Sequence, residues 1–286
     1  MFFEKEVKCT LCPNFCVLKN GQIGQCLRRI EKDGEIIPIG SGKFTHIAVD
    51  PIEKKPFRHF LNGTKTLSLG GWGCSLRCNF CENHLVSQTN LEKQSKEVSC
   101  YDVINMALDN KCSSICFTYN EPTINIEYLI ELSNSIKERE EYIKNYNDGQ
   151  NLKLLLKTNA YVNKYPWKEI CKCFDAINID FKGSYEQYRD ICGAKEYVVE
   201  DRIKEAYDYG KHIEISIPIY PSFMDDIRAF FKISYSVGKL SSEIPCHLLK
   251  VYPSYLIGNK MPVSDKSLEL PKYILEFYLK NVYIVS

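Results

Sequence analysis

Cys74, Cys78 and Cys81 fall within eight positions in the stretch GWGCSLRCNFCEN (71–83), with three and then two residues between them. An odd set of clustered thiols does not suit a disulfide framework, and a closed zinc site asks for four ligands. A [4Fe–4S] cluster takes cysteine thiolates on its irons. Three from one loop leave one iron free for an exogenous ligand, much as a catalytic zinc keeps one position open. A Cys3His zinc site would instead recruit His84, three residues after Cys81. The plainest alternative is three unligated core cysteines.

A second group stands near the amino terminus. CTLCPNFCVLKNGQIGQC places Cys9, Cys12, Cys16 and Cys26 with two, three and nine residues between them. Four thiols, with Gly21 and Gly24 permitting tight turns, can fully ligate a zinc ion or a second iron–sulfur cluster. A small module with few long apolar runs gains folding free energy from such a metal. Cys9-x2-Cys12 also fits a redox pair, but two further cysteines close by favour metal. Cys100, Cys112, Cys116, Cys171, Cys173, Cys192 and Cys246 are scattered through patterned segments and read as small core residues.

The chain that must position these groups has 286 residues, 44% hydrophobic and 26% charged, enough for a large soluble core. Its 37 basic and 36 acidic residues leave no polyanion-binding footprint, so no nucleic-acid partner is expected. MFFEKEVKC has no apolar signal core, and no run approaches the ~18 apolar residues of a membrane span. A cytoplasmic protein without a membrane partner is therefore expected, and its fourteen cysteines are not explained as disulfides.

Strand-like runs occur at 64–70, 113–120, 152–161, 175–183, 211–220 and 246–253, with VYIVS at the end. Helix-period segments separate them, at Tyr101 to Asn110, Thr123 to Asn145, Val198 to Gly210, Asp225 to Gly238 and Leu268 to Asn281. This alternation predicts an α/β fold with a parallel sheet and right-handed crossovers. Six units are too few for an eight-fold barrel and suit an open, partial barrel or a doubly wound sheet. In both, chemistry sits at the carboxyl ends of the strands. The cysteine loop, YNEP, TN and DFK follow the first four strands in turn. Residues 1–64 lack the rhythm and are expected to form a separate Cys-rich, metal-binding module before a barrel at 65–286. The charge-rich 137–153 reads as a solvated helix end and loop.

Cys74-x3-Cys78-x2-Cys81, with Phe80 before the last cysteine, resembles the signature of the radical S-adenosylmethionine (SAM) superfamily. VDPIEKKPFRHF (49–60), LSLGGWGCSLRCNFCENHLVSQ (67–88), FTYNEPT (117–123), KTNAYV (157–162) and INIDFKG (177–183) extend the match over nearly the whole chain. Together they resemble the radical SAM member of the AmmeMemoRadiSam group, relatives of pyruvate formate-lyase activating enzymes. The resemblance implies a partial (β/α)6 barrel of the TIM type. It also implies SAM chelating the unique iron through its amino and carboxylate groups, and reductive cleavage to methionine and a 5′-deoxyadenosyl radical that abstracts hydrogen. A reducing partner such as flavodoxin or ferredoxin is implied too.

The resemblance places Tyr119, Asn120 and Glu121 where the methionine amino group is met, with Glu121 supplying the carboxylate. Glu121 also suits a helix-start cap ahead of Pro122. Thr158 and Asn159 match the pair near SAM's carboxylate or ribose, or serve a turn. Asp180 and Lys182 match a D-x-K strand end, or form an ion pair in the barrel mouth. Phe80 is expected beside the adenine, with Asn83 nearby. The amino-terminal C-x-x-C-P and G-x-x-G-x-C fit the family without fixing the metal.

On the substrate side, IPIYPSFMDD (217–226) and IPCHLLKVYPSYLIGNK (244–260) follow the later strands. His247 suits either an acid–base group or a satisfied core histidine, and the core reading is favoured. Tyr252, Pro253 and Tyr255 with Lys250 and Lys260 suit peptide contact or plain packing. The sequence departs from the family in Glu82, where glutamine is usual, in YPSF after the fifth strand, and in stopping at Ser286. The expected function is a radical SAM oxidoreductase acting on a protein or peptide, as a glycyl-radical activator does. A small-molecule radical SAM enzyme and a non-catalytic, metal-stabilised binding module are the alternatives, and the ordered strand-end motifs weigh against the last.

Overall fold

The computed structural model describes residues 6–285. Residues 1–5, which open the amino terminus read above, and Ser286 at the end of VYIVS lie outside them. The strand-like runs form one sheet of β1 (His46–Pro51), β2 (Lys65–Gly70), β3 (Ser114–Phe117), β4 (Lys153–Thr158), β5 (Ala176–Asp180), β6 (His212–Ile219), β7 (Cys246–Lys250) and β8 (Val282–Val285), neighbours in that order. β2 to β8 are parallel. Helices α1 (Cys100–Asp109), α2 (Ile126–Glu138), α3 (Lys164–Cys173), α4 (Glu196–Asp208), α5 (Ile227–Gly238) and α6 (Glu269–Leu275) lie in the six successive parallel crossovers. The fold is mixed α/β with a central parallel sheet, the partial barrel of six βα units.

Period-two alternation sorts each strand's side chains. Leu154, Leu156, Ile177, Ile179, Ile213, Ile215 and Ile217 join the main apolar core with helix residues such as Val103, Ile104, Leu129 and Leu132. The alternate positions face the barrel interior and turn polar along the strands: Leu155 then Lys157, Ala176 then Asn178 and Asp180, Glu214 then Ser216. Burying that polar set is tolerable only because it bonds to itself. Asn178 Oδ1, for example, accepts from Lys157 Nζ and Ser216 Oγ, each at 2.7 Å.

The boundary expected at residue 64 falls inside the sheet. β1 runs antiparallel to β2 from His46↔Gly70 to Pro51↔Lys65, which covers an edge that β2 would otherwise leave unpaired. The chain after β1 then closes the floor of the barrel, where Ile52 and Phe57 pack against Cys116, Leu155 and Ala176. Upstream, Arg29–Lys32 and Glu35–Pro38 form a hairpin on Asp33-Gly34. Both turn residues have positive φ, 53° and 93°, as a two-residue hairpin turn requires. The helix expected from Thr123 to Asn145 is split into a 3-10 turn Pro122–Asn125, α2 and Glu140–Tyr146. No helix among the described residues is long and apolar enough to cross a membrane.

Candidate active site

The cysteine loop leaves the carboxyl end of β2 and is held from three sides. Trp72 is fully buried with the Arg28 guanidinium 3.9 Å from its ring. Gly73, at φ 79°, admits no side chain, since a Cβ there would lie 2.1 Å from Cys26 O. Asn120 clamps the loop backbone: its Oδ1 accepts from Gly71 N–H at 3.0 Å, and its Nδ2 donates to Trp72 O and Gly73 O at 2.9 and 3.0 Å. Asn14 Nδ2, between Cys12 and Cys16, donates to Ser75 O at 2.7 Å. The turn before Gly193 supports the far side, where Arg77 and Asn79 N–H donate to Cys192 and Ile191 O at 3.1 and 3.0 Å.

Within this frame Cys74 Sγ accepts from Leu76 N–H at 3.3 Å and from Asn159 Nδ2 at 3.4 Å, and Cys81 Sγ lies 3.2 Å from Ser87 Oγ. Burial, with the Glu121 charge adding, pushes the Cys74 thiol well up. A hydrogen bond with Cys192 and then burial do the same to Cys78. Burial raises Cys81.

All three cysteines line one cavity of about 220 Å³ at the carboxyl ends of the strands. Phe80, Asn83, Tyr119, Asn120, Glu121, Thr158, Asn159, Asp180 and Lys182 line it as well. Glu121 is buried, and its Oε1 accepts from Thr123 N–H (3.0 Å), Thr123 Oγ1 and Thr158 Oγ1 (both 2.7 Å). Oε2 accepts from Asn159 N–H at 2.8 Å and from no other donor among the described residues. Glu121 therefore does cap the following turn, with one oxygen left under-used. Burial pushes its pKa up in spite of those donors. Phe80 stacks on Tyr220, centroids 4.3 Å apart, and forms a flat wall. Tyr119, at φ 71°, is held in its uncommon conformation by donating to Asp50 Oδ2 and accepting from Lys55 Nζ, at 3.2 and 3.3 Å.

Asp180 forms the ion pair expected with Lys182, at 2.7 Å, and a second with Lys157. Burial alone would raise its pKa, but the two ammonium groups hold it at about 2. Two cations share that one carboxylate, and burial pushes Lys157 down. Lys157 also lines the cavity, and the sequence reading passes over it. The signal was present, since alternation in LKLLLK turns Lys157 inward with Leu155. Glu82 also finds its place: Oε1 accepts from Tyr252 N–H at 2.8 Å, and burial raises its carboxyl.

Two histidines left open between roles now have one each. His84 does not complete a Cys3His site; its ring stacks on Tyr255 at 4.8 Å, and Nδ1 lies 3.1 Å from Cys81 O, outside the cavity lining. His247 is a buried floor residue, its Nε2 donating to Glu214 Oε2 at 2.6 Å, which is the core role favoured from sequence. The amino-terminal cysteines stand apart from the cavity. Cys9, Cys12 and Cys26 are buried, and Cys9 N–H donates to Cys16 O at 2.8 Å. Burial foremost, with Cys26, Cys9 and Cys16 adding, pushes Cys12 up to about 12. Among the described residues no group of three or more His, Cys, Asp or Glu converges on the position of a single metal ion.

The chain belongs to the radical SAM superfamily, whose family model matches residues 71–232. An uncharacterized protein of Methanocaldococcus jannaschii is 33% identical over 291 residues, 99% of this chain and 84% of that one. Streptococcus suis SuiB, in a crystal structure bound to precursor peptide SuiA, superposes with TM-score 0.55 at 16% identity. The match covers 82% of this chain and 51% of SuiB, about half its length. Spore photoproduct lyase complexed with a dinucleoside spore photoproduct gives TM-score 0.53 at 10% identity over 74% of each chain. These two likenesses show the fold.

Membership implies a [4Fe–4S] cluster and SAM, and the residues present fit both. Three thiols border one cavity on a rigidly held loop, and Cys74 already receives two N–H donors of the kind that tune cluster sulfurs. Raised thiol pKa values mean that iron must displace protons on loading. For SAM, the cavity offers a buried carboxylate with a free lone pair and a lysine ammonium.

Proposed function

We propose that Cys74, Cys78 and Cys81 ligate the cluster and that the surrounding strand ends hold SAM for hydrogen abstraction from a protein or peptide. When bound, the cluster and SAM supply one-electron reductive cleavage and radical chemistry. Glu121 Oε2 accepts the methionine ammonium, while Thr123, Thr158 and Asn159 fix the carboxylate's orientation. Lys182 faces the methionine carboxylate, and Asp180 keeps that ammonium charged. Phe80 offers the adenine a flat face, with Asn83 as its polar neighbour. Asn120 and Tyr119 set the loop and wall rather than the ligand. The single observation carrying this reading is that the cysteines, Glu121, Thr158 and Asn159, and the Asp180–Lys182 pair, from four different strand ends, line one cavity.

The polypeptide substrate, as in a glycyl-radical activator or within the AmmeMemoRadiSam group, is supported by the exposed aromatic rim at Tyr252 and Tyr255 beside the cavity. A flavodoxin- or ferredoxin-type reductant in the cytoplasm completes the reading. Cys9, Cys12, Cys16 and Cys26 are proposed to hold zinc or a second iron–sulfur cluster, supported by the burial of Cys9, Cys12 and Cys26 and by the backbone bond that joins Cys9 to Cys16. The test is anaerobic reconstitution with iron and sulfide, then SAM and a strong reductant. Formation of 5′-deoxyadenosine is expected, together with loss of iron in Cys74→Ala. No product, with unchanged iron in the variant, sinks the proposal. Metal analysis of a Cys9→Ser/Cys12→Ser variant identifies the second metal.

A further inference from the structure

We infer that Glu82 is a positioning residue that straps the chain after β7 across the cysteine loop and so sets the mouth of the cavity. Leu249, Lys250 and Val251 line the cavity, and Val251 N–H still donates to Ile219 O of β6 at 3.1 Å. Beyond Val251 the chain leaves the sheet, and residues 252–264 belong to no strand and hold only the short turn Tyr255–Ile257. Its position is therefore set by what it touches, and it touches the cysteine loop four times. Tyr252 N–H donates to Glu82 Oε1 at 2.8 Å, Leu256 N–H donates to Asn79 O at 3.1 Å, Ser254 Oγ lies 3.5 Å from His84 Nδ1, and Tyr255 stacks on His84 at 4.8 Å. Of these, the carboxylate bond is charge-assisted, and Glu82 is the loop partner that also lines the cavity. Glu82 follows Cys81 directly, so the ligand loop and the cavity mouth are registered by one side chain.

The inference rests on the reading that the cavity binds SAM. A loosened strap exposes the mouth and weakens SAM retention, while the atoms proposed to orient SAM stay in place. Glutamine keeps an oxygen for the Tyr252 N–H and alanine does not, so the pair separates the bond from general damage. Reconstituted holoenzyme is compared as wild type, Glu82→Gln and Glu82→Ala. The readouts are hydrogen exchange of the 251–261 amides and the SAM dependence of 5′-deoxyadenosine formation. In Glu82→Ala the Tyr252 amide exchanges about tenfold faster and the KM for SAM rises about tenfold, more than kcat falls. Glu82→Gln restores both to within about twofold of wild type.

An unchanged Tyr252 amide, or a fall in kcat without a rise in KM, overturns the inference. Should Glu82→Ala fail to load iron, Tyr255→Ala loosens the same strap from its other side. A raised KM then supports the assignment, and an unchanged one overturns it. If wild-type holoenzyme does not bind SAM in equilibrium dialysis, the underlying reading fails. The exchange difference between Glu82→Gln and Glu82→Ala then judges the strap alone.

Discussion

Two carboxylates face the barrel interior from adjacent strands, Asp180 at the mouth and Glu214 at the floor, and both are held at about 2 against the cost of burial. Their partners differ in kind. Glu214 accepts from Arg58 and His59 N–H at 3.0 and 2.9 Å, and from His212 and His247 at 3.0 and 2.6 Å. Two of those donors are backbone groups of the segment that closes the floor, so they cannot turn toward anything else. Asp180 is held by Lys157 and Lys182, whose ammonium groups sit on rotatable stems at the edge of a cavity. The depressed pKa is alike at both ends, although Glu214 is fully buried and Asp180 only partly so; exchangeable partners beside open volume are what separate a binding end from a structural one.

The largest expected effect tests the mouth. Cys74→Ala is expected to lose the visible absorption of the reconstituted cluster and to form no detectable 5′-deoxyadenosine. At the floor, Glu214→Ala strands two backbone N–H groups and two histidines, which costs about 3–5 kcal/mol in thermal or chemical unfolding. SAM affinity of the protein that remains folded should be unaltered. A loss of SAM binding in Glu214→Ala would break the division between the two ends.

Acid should act on the floor in a defined order. The unfolded chain binds protons to Glu214 near pH 4.5 but the folded chain only near 2, so its contribution is complete above 4.5 and lost as pH falls toward 2. That depression is equivalent to about 3 kcal/mol. His247 is pushed down by burial, which outweighs the pull of Glu214, so it too favours unfolding as pH falls below 6.5. Denaturant midpoints measured from pH 7 to 3 should fall monotonically, and more shallowly in Glu214→Gln. At the mouth, Glu121→Gln keeps the shape but removes the charge for an ammonium. SAM should bind about 10–100-fold more weakly in equilibrium dialysis, with a smaller loss in unfolding midpoint.

The mouth was more legible in sequence than the floor, for a physical reason. Its residues sit in short motifs at strand ends, where local alternation and spacing show both the type of side chain and the direction it faces. YNEP, TN and D-x-K could thus be placed before any contact was known. The floor is made by contacts across 155 and 156 positions, between Arg58 and His59 N–H and Glu214. Backbone donors carry no sequence signature, and neither does the pairing of β1 that brings them there. Glu82 is the same case at the mouth, since its partner Tyr252 lies 170 positions away. Lys157 is different: its inward direction was readable, and only its chemistry was passed over.

The smallest effect gives the finest test of the comparison. Of the two imidazoles on Glu214, His212 is partly exposed and His247 is buried, so water can replace His212 when it is removed. His212→Ala therefore leaves Glu214 with two backbone donors and His247, still ionised and still bonded. The expected cost is about 1 kcal/mol in unfolding, well below that of Glu214→Ala, with no change in SAM affinity or 5′-deoxyadenosine yield. A cost equal to that of Glu214→Ala would mean that the histidine, and not the backbone, holds the carboxylate. The floor would then rest on an exchangeable side chain as the mouth does, and the contrast between the two ends would collapse.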